Sequence, residues 1–158
     1  MDEISIRDAL LEDADVICLV MRQSLLQVTA KHYGPGIIQG IANSITREGI
    51  AANISSRRVF VACSGKQVVG TASFDGRRVR AVFVAPDRHG SGIGRLLMER
   101  VEDLARKQGI TQLEVPASIN ANGFYEKLGY VQIDEEYLGQ ARMLVMQKTL
   151  SLHPMSES

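Results

Sequence analysis

The chain contains no tryptophan and only four phenylalanines and four tyrosines among its 158 residues. Single-stranded nucleic acids bind to surfaces on which their bases can stack, and so few aromatic side chains do not predict such a surface. The formal net charge is zero, so no overall positive field attracts nucleic acid or an anionic membrane. We therefore expect neither a nucleic-acid partner nor a membrane partner.

Cysteines and long apolar runs are equally scarce. The two cysteines, Cys18 and Cys63, are too few for a disulfide scaffold, which favours a reduced, cytoplasmic protein. No apolar run is long enough to cross a bilayer, and the acidic start Met1-Asp2-Glu3 is unlike a signal peptide. The length is typical of a single domain, which we assign to residues 1–150, with a short polar tail over 151–158.

Three glycines at alternate positions, in His89-Gly90-Ser91-Gly92-Ile93-Gly94, stand between a predicted strand and a predicted helix. Upstream, residues 79–84 are rich in β-branched and aromatic side chains and predict a strand, which Pro86 ends. Downstream, apolar residues recur at helical spacing from 93 to 105, and Gly109 is placed to end that helix. A helix N-terminus presents unpaired N–H groups to an anion, and glycine allows a ligand to approach the backbone closely. The loop therefore predicts a cradle for a diphosphate.

Two common phosphate-binding patterns do not match this loop. A P-loop requires Gly-Lys-Ser or Gly-Lys-Thr, and neither run occurs in the chain. A dinucleotide fingerprint requires G-x-G-x-x-G, but Arg95 or Leu97 stands at the third glycine position, depending on the starting glycine. Glu114 lies at about the right distance for a ribose-binding acid, yet too little chain follows it for a doubly wound sheet. A nicotinamide cofactor is not expected.

Two segments resemble motifs of the Gcn5-related N-acetyltransferases, the GNAT superfamily. Val84-Ala85-Pro86 and the glycine loop are similar to V-x-P followed by R/Q-x-x-G-x-G/A, with His89 in place of the usual Arg or Gln. Residues 121–130, ANGFYEKLGY, resemble the A-x-x-F-Y-x-K-x-G-F segment, and Ser118 stands where many members have asparagine. The resemblance implies an N-acetyltransferase with acetyl-CoA as cosubstrate. Its acceptor would be an amine of a small molecule or peptide, which attacks directly in a ternary complex.

The predicted order of elements is βααβββαβαββ, which matches the GNAT topology. Strands are predicted at 4–7, 59–63, 68–74, 79–84, 111–115, 131–137 and 141–149, and helices at 11–29, 37–54, 120–128 and from 93 up to Gly109. The resemblance implies an α/β fold with a mixed, mostly antiparallel sheet, flanked by helices and containing a splayed pair of parallel strands, 79–84 and 111–115. Pro116 is expected to close the second of these strands. The cofactor's pantetheine arm would pair with the exposed edge of the first.

The resemblance also implies which residues bind the cofactor. They are Val82, Phe83, Val84, His89, Gly90, Ser91, Gly92, Ile93, Gly94, Ser118, Asn120 and Tyr125. A backbone N–H near residues 82–84 would polarise the thioester carbonyl. Tyr125 is the candidate catalytic acid, because GNAT enzymes often use a tyrosine there to protonate the departing sulfur. A phenol with a pKa of about 10 is protonated at neutral pH. The alternative is a core tyrosine that packs beside Phe124.

The amine nucleophile must lose a proton before or during attack. Glu114 is the first candidate for this catalytic base, because it flanks the splayed strand shortly before Ser118 and Asn120; a solvent-facing glutamate is the alternative. His32 and Tyr33, between the first two helices, are candidates to line the acceptor groove or to act as a proton relay; the alternative for His32 is a simple loop histidine. No metal site is predicted.

Other functions and assemblies remain open at this point. A catalytically silent acyl-CoA sensor would bind the same ligand without turnover. A nucleotide-binding module would be stabilised by ATP or NAD and not by coenzyme A. The oligomeric state is either monomer or homodimer, since the last predicted hairpin offers an edge to a second copy.

Overall fold

The computed structural model describes residues 3–151, which form seven strands and five α-helices in the order βαααβββαβαββ. The strands are β1 (Ile4–Asp8), β2 (Arg58–Ser64), β3 (Gln67–Phe74), β4 (Val79–Val84), β5 (Gln112–Ser118), β6 (Val131–Leu138) and β7 (Ala141–Thr149). The helices are α1 (Ala14–Gln27), α2 (Ile37–Ser44), α3 (Arg47–Ser56), α4 (Ile93–Lys107) and α5 (Asn122–Lys127). Within residues 3–151, no helix combines the length and the apolar character that a bilayer span requires. The predicted polar tail, apart from Ser151, lies outside the described residues.

The strands form two antiparallel sheets, with the orders β1-β2-β3-β4 and β5-β7-β6. The two sheets meet where β4 and β5 begin, through a single parallel bridge between Arg78 and Glu114. Beyond this bridge, β4 and β5 are not paired with each other. The α/β fold with a splayed parallel pair is therefore confirmed, but the single mixed sheet is in fact two antiparallel sheets that diverge from one bridge.

A β-bulge in β4 accentuates this divergence. Thr71 pairs with Phe83 and Ser73 pairs with Arg80, so two residues of β4 oppose one residue of β3. Ala81, within the bulge, has a φ of 55° and is the one non-glycine residue with positive φ in the part of the chain that the structure describes. Because a bulge bends its strand and increases the local twist, the second half of β4 turns away from β5.

Helix α4 packs against both sheets and closes the core on one side. Its buried face repeats every turn through Ile93, Leu97 and Val101, as the sequence periodicity predicts. Phe60 of the first sheet and Met146 of the second belong to the same cluster of buried side chains. One core therefore includes both sheets, as a single domain requires; the domain's extent over residues 1–150 stays a prediction.

The opposite face of the first sheet is covered by α1 and α3. Ile17 of α1 and Ile50 of α3 pack against Val59, Val61 and Cys63 of β2. Strand β2 is therefore buried on both faces, which explains why it is an almost continuous apolar run. Cys63 is a buried core residue, as expected for a small apolar side chain.

Two predicted boundaries are wrong, and each has a local cause. The helix predicted at 37–54 is two helices, because Thr46 starts a new one: its hydroxyl accepts a hydrogen bond from the Gly49 N–H at 3.0 Å. Pro116 does not close β5, which continues to Ser118 with Pro116 paired to Val145. Since β5 is an edge strand of its sheet, a residue without an N–H is tolerated there.

Candidate functional site

A cavity of about 890 Å³ occupies the gap between the diverging ends of β4 and β5. It extends from the glycine loop at one end to α1, α2 and the β6–β7 hairpin at the other. The predicted cofactor-binding residues that line it are Val82, Phe83, Val84, His89, Gly90, Gly92, Ile93, Gly94, Ser118, Asn120 and Tyr125. Ser91 does not line the cavity; its hydroxyl donates a hydrogen bond to the carbonyl of Arg88 within the loop.

The edge of β4 that faces the cavity pairs with no other strand within residues 3–151, because β4 is an edge strand of its sheet. The N–H of Ala85 donates to the carbonyl of Val69 in β3 at 2.8 Å. Because backbone groups alternate along a strand, the N–H of Val84 points to the other edge, toward the cavity. The carbonyl of Val84 accepts a hydrogen bond from Nε2 of His89 at 3.1 Å. His89 therefore fixes the glycine loop against the end of β4 through its ring, which sequence reasoning did not foresee.

Gly90 and Gly92 give the loop a conformation that other residues rarely adopt. Their φ angles are 81° and 84°, and a Cβ atom at either position would meet no heavy atom within 4 Å. Gly92 is the N-cap of α4, and no side chain caps this helix. The first N–H groups of α4 therefore lack a side-chain acceptor and lie beside open space, which is the arrangement that binds an anionic group.

Two arginines lie at this end of the cavity. Arg88 reaches across to the first sheet, where it donates to Oγ of Ser64 at 3.3 Å and to Oε1 of Gln67 at 3.4 Å. Arg95 forms an exposed ion pair with Glu99, one turn further along α4, at 3.1 Å. Both side chains line the cavity and add positive charge near the N-terminus of α4.

Gly94 is required for a different reason than the other two glycines. A Cβ atom there would lie 3.0 Å from Cζ of Phe124, closer than side-chain carbon atoms normally approach. The absence of a side chain lets Phe124 of α5 pack directly on the first turn of α4. This close contact brings the next residue, Tyr125, to the wall of the cavity.

Tyr125 combines a buried ring with a hydroxyl that no protein group holds. The residue is 4% exposed, and its ring makes edge-to-face contacts with Phe124 and Tyr130 at centroid distances of 4.9 and 5.7 Å. Its hydroxyl has no hydrogen-bond partner within residues 3–151. Burial raises the pKa of the Tyr125 hydroxyl well above its ordinary value, so the group stays protonated at physiological pH. Tyr125 is therefore a core residue that also lines the cavity, and its role as a catalytic acid stays a prediction.

The structure does not bring Glu114 into the cavity. Its carboxylate accepts a hydrogen bond from Nε of Arg78 at 3.0 Å, and the residue is not part of the lining. Glu136 of β6 does line the cavity, and both of its oxygens accept from the same guanidinium, at 2.9 and 3.1 Å. The hydrogen bond to Glu136 raises the pKa of Arg78. The role of Glu114 as a base stays a prediction, and this geometry gives it no support.

Sequence reasoning missed Glu136, which lies in the acidic run Asp134-Glu135-Glu136 of the last hairpin. That run resembles an ordinary solvated strand. Its third residue reaches the cavity because β6 pairs with β7 and places Glu136 opposite Met143, which also lines it. Only the register of these strands reveals the position.

Tyr33 closes one side of the cavity. Its hydroxyl donates to the carbonyl of Arg142 in β7 at 2.7 Å and accepts from the N–H of Ile119, after β5, at 3.0 Å. Burial raises the pKa of this hydroxyl, and both hydrogen bonds leave it as a fixed crosslink rather than a proton relay. His32 lies beside it in the lining, on the exposed rim.

The residues after β5 contribute polar groups to the same wall. Ser118 and Asn120 line the cavity, and their role in binding the cofactor stays a prediction. Asn122, at the start of α5, does not, and its buried Oδ1 has no hydrogen-bond partner within residues 3–151. Within the same residues, no cluster of three or more His, Cys, Asp or Glu side chains is suited to a metal ion.

Comparison with known proteins gives one consistent result. Residues 29–150 match the family described as "Acetyltransferase (GNAT) domain". An uncharacterized N-acetyltransferase of Chlorobaculum tepidum is 30% identical over 140 residues, which cover 85% of this chain and 80% of that protein. A GCN5-related N-acetyltransferase from Rhodopseudomonas palustris superposes with a TM-score of 0.89 at 29% identity, over 95% of this chain and 98% of that one. The PaiA N-acetyltransferase from Thermoplasma acidophilum, crystallised with coenzyme A, shares the fold with a TM-score of 0.80 at 19% identity, over 93% and 99% of the two chains.

Proposed function

Because the chain belongs to the family of GNAT acetyltransferase domains, we propose that it transfers the acetyl group of acetyl-CoA to a primary amine. The amine of a small molecule or peptide attacks directly, in a ternary complex. One observation carries this proposal: the uncapped N-terminus of α4, the open edge of β4 and the hydroxyl-bearing Tyr125 all face a single cavity.

The groups that line the cavity fit the parts of acetyl-CoA in order. The backbone around Gly90, Gly92 and Ile93 would hold the pyrophosphate, because N–H groups and open space occur together there. The unpaired edge at 82–84 would hold the amides of the pantetheine arm, as an added strand would be held. Ser118 and Asn120, on the facing wall, would supply further hydrogen bonds.

Acetyl-CoA supplies a thioester, whose acetyl carbon becomes bonded to the amine nitrogen while its bond to sulfur breaks. The N–H of Val84 is placed to donate to the carbonyl oxygen, where negative charge develops during this exchange. The Tyr125 hydroxyl donates its proton to the departing sulfur and regains one from solvent. Glu136 is the carboxylate in the lining that attracts the incoming ammonium, which loses one proton to solvent to become the neutral nucleophile. After the attack the nitrogen releases a second proton to solvent, which balances the proton that Tyr125 regains.

Replacing Tyr125 with phenylalanine tests the proposed acid. Loss of proton transfer should lower kcat by about 10²-fold to 10⁴-fold, because general acid catalysis contributes a factor of this size. The ring packing is retained and the hydroxyl has no partner to lose, so the dissociation constant for coenzyme A and the melting temperature should change little. Thiol release from acetyl-CoA measures kcat, and calorimetric titration with coenzyme A measures binding.

Three outcomes would contradict the proposal. An equal loss of turnover and coenzyme A affinity in Tyr125→Phe would make the tyrosine a structural residue. Coenzyme A binding by the unsubstituted protein, without thiol release for any amine, would identify a silent acyl-CoA sensor. Protection from thermal unfolding by ATP or NAD, and none by coenzyme A, would indicate a nucleotide-binding module instead.

A further inference from the structure

The end of the cavity that is farthest from the glycine loop has apolar walls. They are formed by α1, α2 and the β6–β7 hairpin, and include Leu25, Ile38, Ile41, Ile45, Leu138 and Met143. All of these except Leu138 belong to one cluster of packed hydrophobic side chains, some fully buried and some half-buried with a face on the cavity. Because packed side chains back this wall, it presents apolar surface to whatever enters.

The charged side chains near these walls already have partners. Glu136 is the one carboxylate that lines the cavity within residues 3–151, and Arg78 binds both of its oxygens. Arg80 also lines the cavity, and its Nε donates to Oδ2 of Asp75 at 3.1 Å. A ligand with two cationic groups would therefore find one carboxylate, shared with a guanidinium, and none for its second charge.

Two neutral hydroxyl groups remain available at this end. Ser24 of α1 and Thr29, in the turn that follows, are 5% and 7% exposed and line the cavity. Neither hydroxyl has a hydrogen-bond partner in the part of the chain that the structure describes. Such groups suit a hydroxyl or amide on the ligand, and they do not compensate the burial of a charge.

We propose that the acceptor is a primary monoamine carried on an uncharged, mainly apolar body, and that polyamines and aminoglycosides are poor substrates. This inference rests on the proposed function. Burial of an apolar body against α1 and α2 makes the free energy of binding more favourable. Burial of a second ammonium makes it less favourable, because the ammonium loses its hydration and finds no carboxylate to replace it. A carboxylate on the body would share Arg80 with Asp75, which already binds its Nε.

A matched series of amines tests the inference. n-Hexylamine, 6-amino-1-hexanol, 1,6-diaminohexane and 6-aminohexanoate share one chain length and differ only at the far end. With thiol release from acetyl-CoA as the assay, kcat/KM for n-hexylamine should exceed that for the diamine and the amino acid by about tenfold or more. The amino alcohol should lie close to n-hexylamine, because Ser24 and Thr29 offer it hydrogen bonds.

Two substitutions in the wall should change this preference. Ile41→Asp in α2 and Leu138→Asp in the hairpin each add a carboxylate to the lining. Each should raise the ratio of kcat/KM for 1,6-diaminohexane to kcat/KM for n-hexylamine by about tenfold. Leu138 is 53% exposed, so its replacement does not threaten the fold. Gln39→Asp adds the same charge to the exposed face of α2, outside the lining, and should leave the ratio unchanged.

The possible failures are distinguishable. A preference of the unsubstituted protein for the diamine or for 6-aminohexanoate would overturn this inference and leave the acetyltransferase function intact. Thiol release for none of these four amines, but for a peptide amine or an aminoglycoside, would overturn this inference alone. Coenzyme A binding in a thermal-shift assay, without thiol release for any amine, would overturn the proposed function and this inference with it. Equal shifts of the ratio in Gln39→Asp and Ile41→Asp would show that the wall does not set the preference.

Discussion

The hydrogen bond between Tyr130 and Glu102 should make a measurable contribution to stability. Glu102 is 5% exposed on α4, and its Oε2 accepts from the Tyr130 hydroxyl at 2.7 Å. Lys148 binds the other oxygen at 3.1 Å. Tyr130→Phe removes one hydrogen bond to a charged, buried group and leaves the ring packing in place. Hydrogen bonds of this kind contribute about 1.5–3 kcal/mol, which is the loss in unfolding free energy that we expect.

Urea unfolding followed by circular dichroism measures this loss as a lower midpoint with an unchanged m-value. For a chain of this size, it corresponds to a fall in melting temperature of about 3–10 °C. Tyr137→Phe is the matched control, because Tyr137 is 63% exposed and its hydroxyl has no hydrogen bond within residues 3–151. Its effect should stay below about 0.5 kcal/mol.

A double-mutant cycle separates the hydrogen bond from other effects of the substitution. Combining Tyr130→Phe with Glu102→Gln should give a coupling energy of about 1 kcal/mol or more, since the two side chains are in direct contact. The reasoning is refuted if Tyr130→Phe costs no more than the Tyr137→Phe control, or if the two losses are additive. Because the Tyr130 ring also contacts Tyr125, a confirmed bond would mean that the same network supports the candidate acid.

Two further predictions concern the termini of helices. Asp13 accepts two hydrogen bonds from Arg7, at 2.8 and 3.1 Å, which lower its pKa. A carboxyl whose pKa is lowered by folding stabilises the protein above the unfolded pKa of about 4 and loses this effect as the pH falls below it. Asp13→Asn should therefore cost about 1–2 kcal/mol in urea unfolding at pH 7 and less at pH 3, and equal losses would contradict this cause. Thr46→Ala removes the cap of α3 and should cost about 1 kcal/mol by the same assay, whereas Ser55→Ala, on the exposed face of that helix, should cost less than about 0.5 kcal/mol.

The parts of the fold that the sequence predicts well are those with a local chemical cause. Helix α4 has apolar residues at every turn and a glycine, Gly109, with φ of 78° just after its end, so its bounds follow from the sequence alone. The break between α2 and α3 also has a local signal, a threonine followed by an acidic residue, Glu48, in the first turn. The prediction of one helix over 37–54 missed this signal, because the apolar pattern continues across Thr46 and the glycines at 40 and 49 are compatible with a single, weakened helix.

The residues of the site also fall into those with a local signal in the sequence and those without one. Tyr125 and the glycine loop, apart from Ser91, line the same cavity, because each motif is a short segment with its own geometry. Which of Glu114 and Glu136 reaches the cavity depends on the divergence of β4 from β5 and on the register of β6 against β7. The bulge at Ala81, where an ordinary alanine adopts a positive φ, accentuates that divergence. Nothing in the identity of an alanine predicts such a conformation.

The three glycines of the loop show how one motif serves two separate physical requirements. Gly90 and Gly92 need their positive φ and leave open space, so they prepare the backbone for an anion at the N-terminus of α4. Gly94 instead admits the ring of Phe124 and thereby sets where α5 lies. The distance between the anion cradle and the Tyr125 hydroxyl is thus fixed by packing between two helices rather than by the loop itself. Under the proposed function, this packing of α5 on α4 sets where the Tyr125 hydroxyl lies relative to a pyrophosphate bound at the N-terminus of α4.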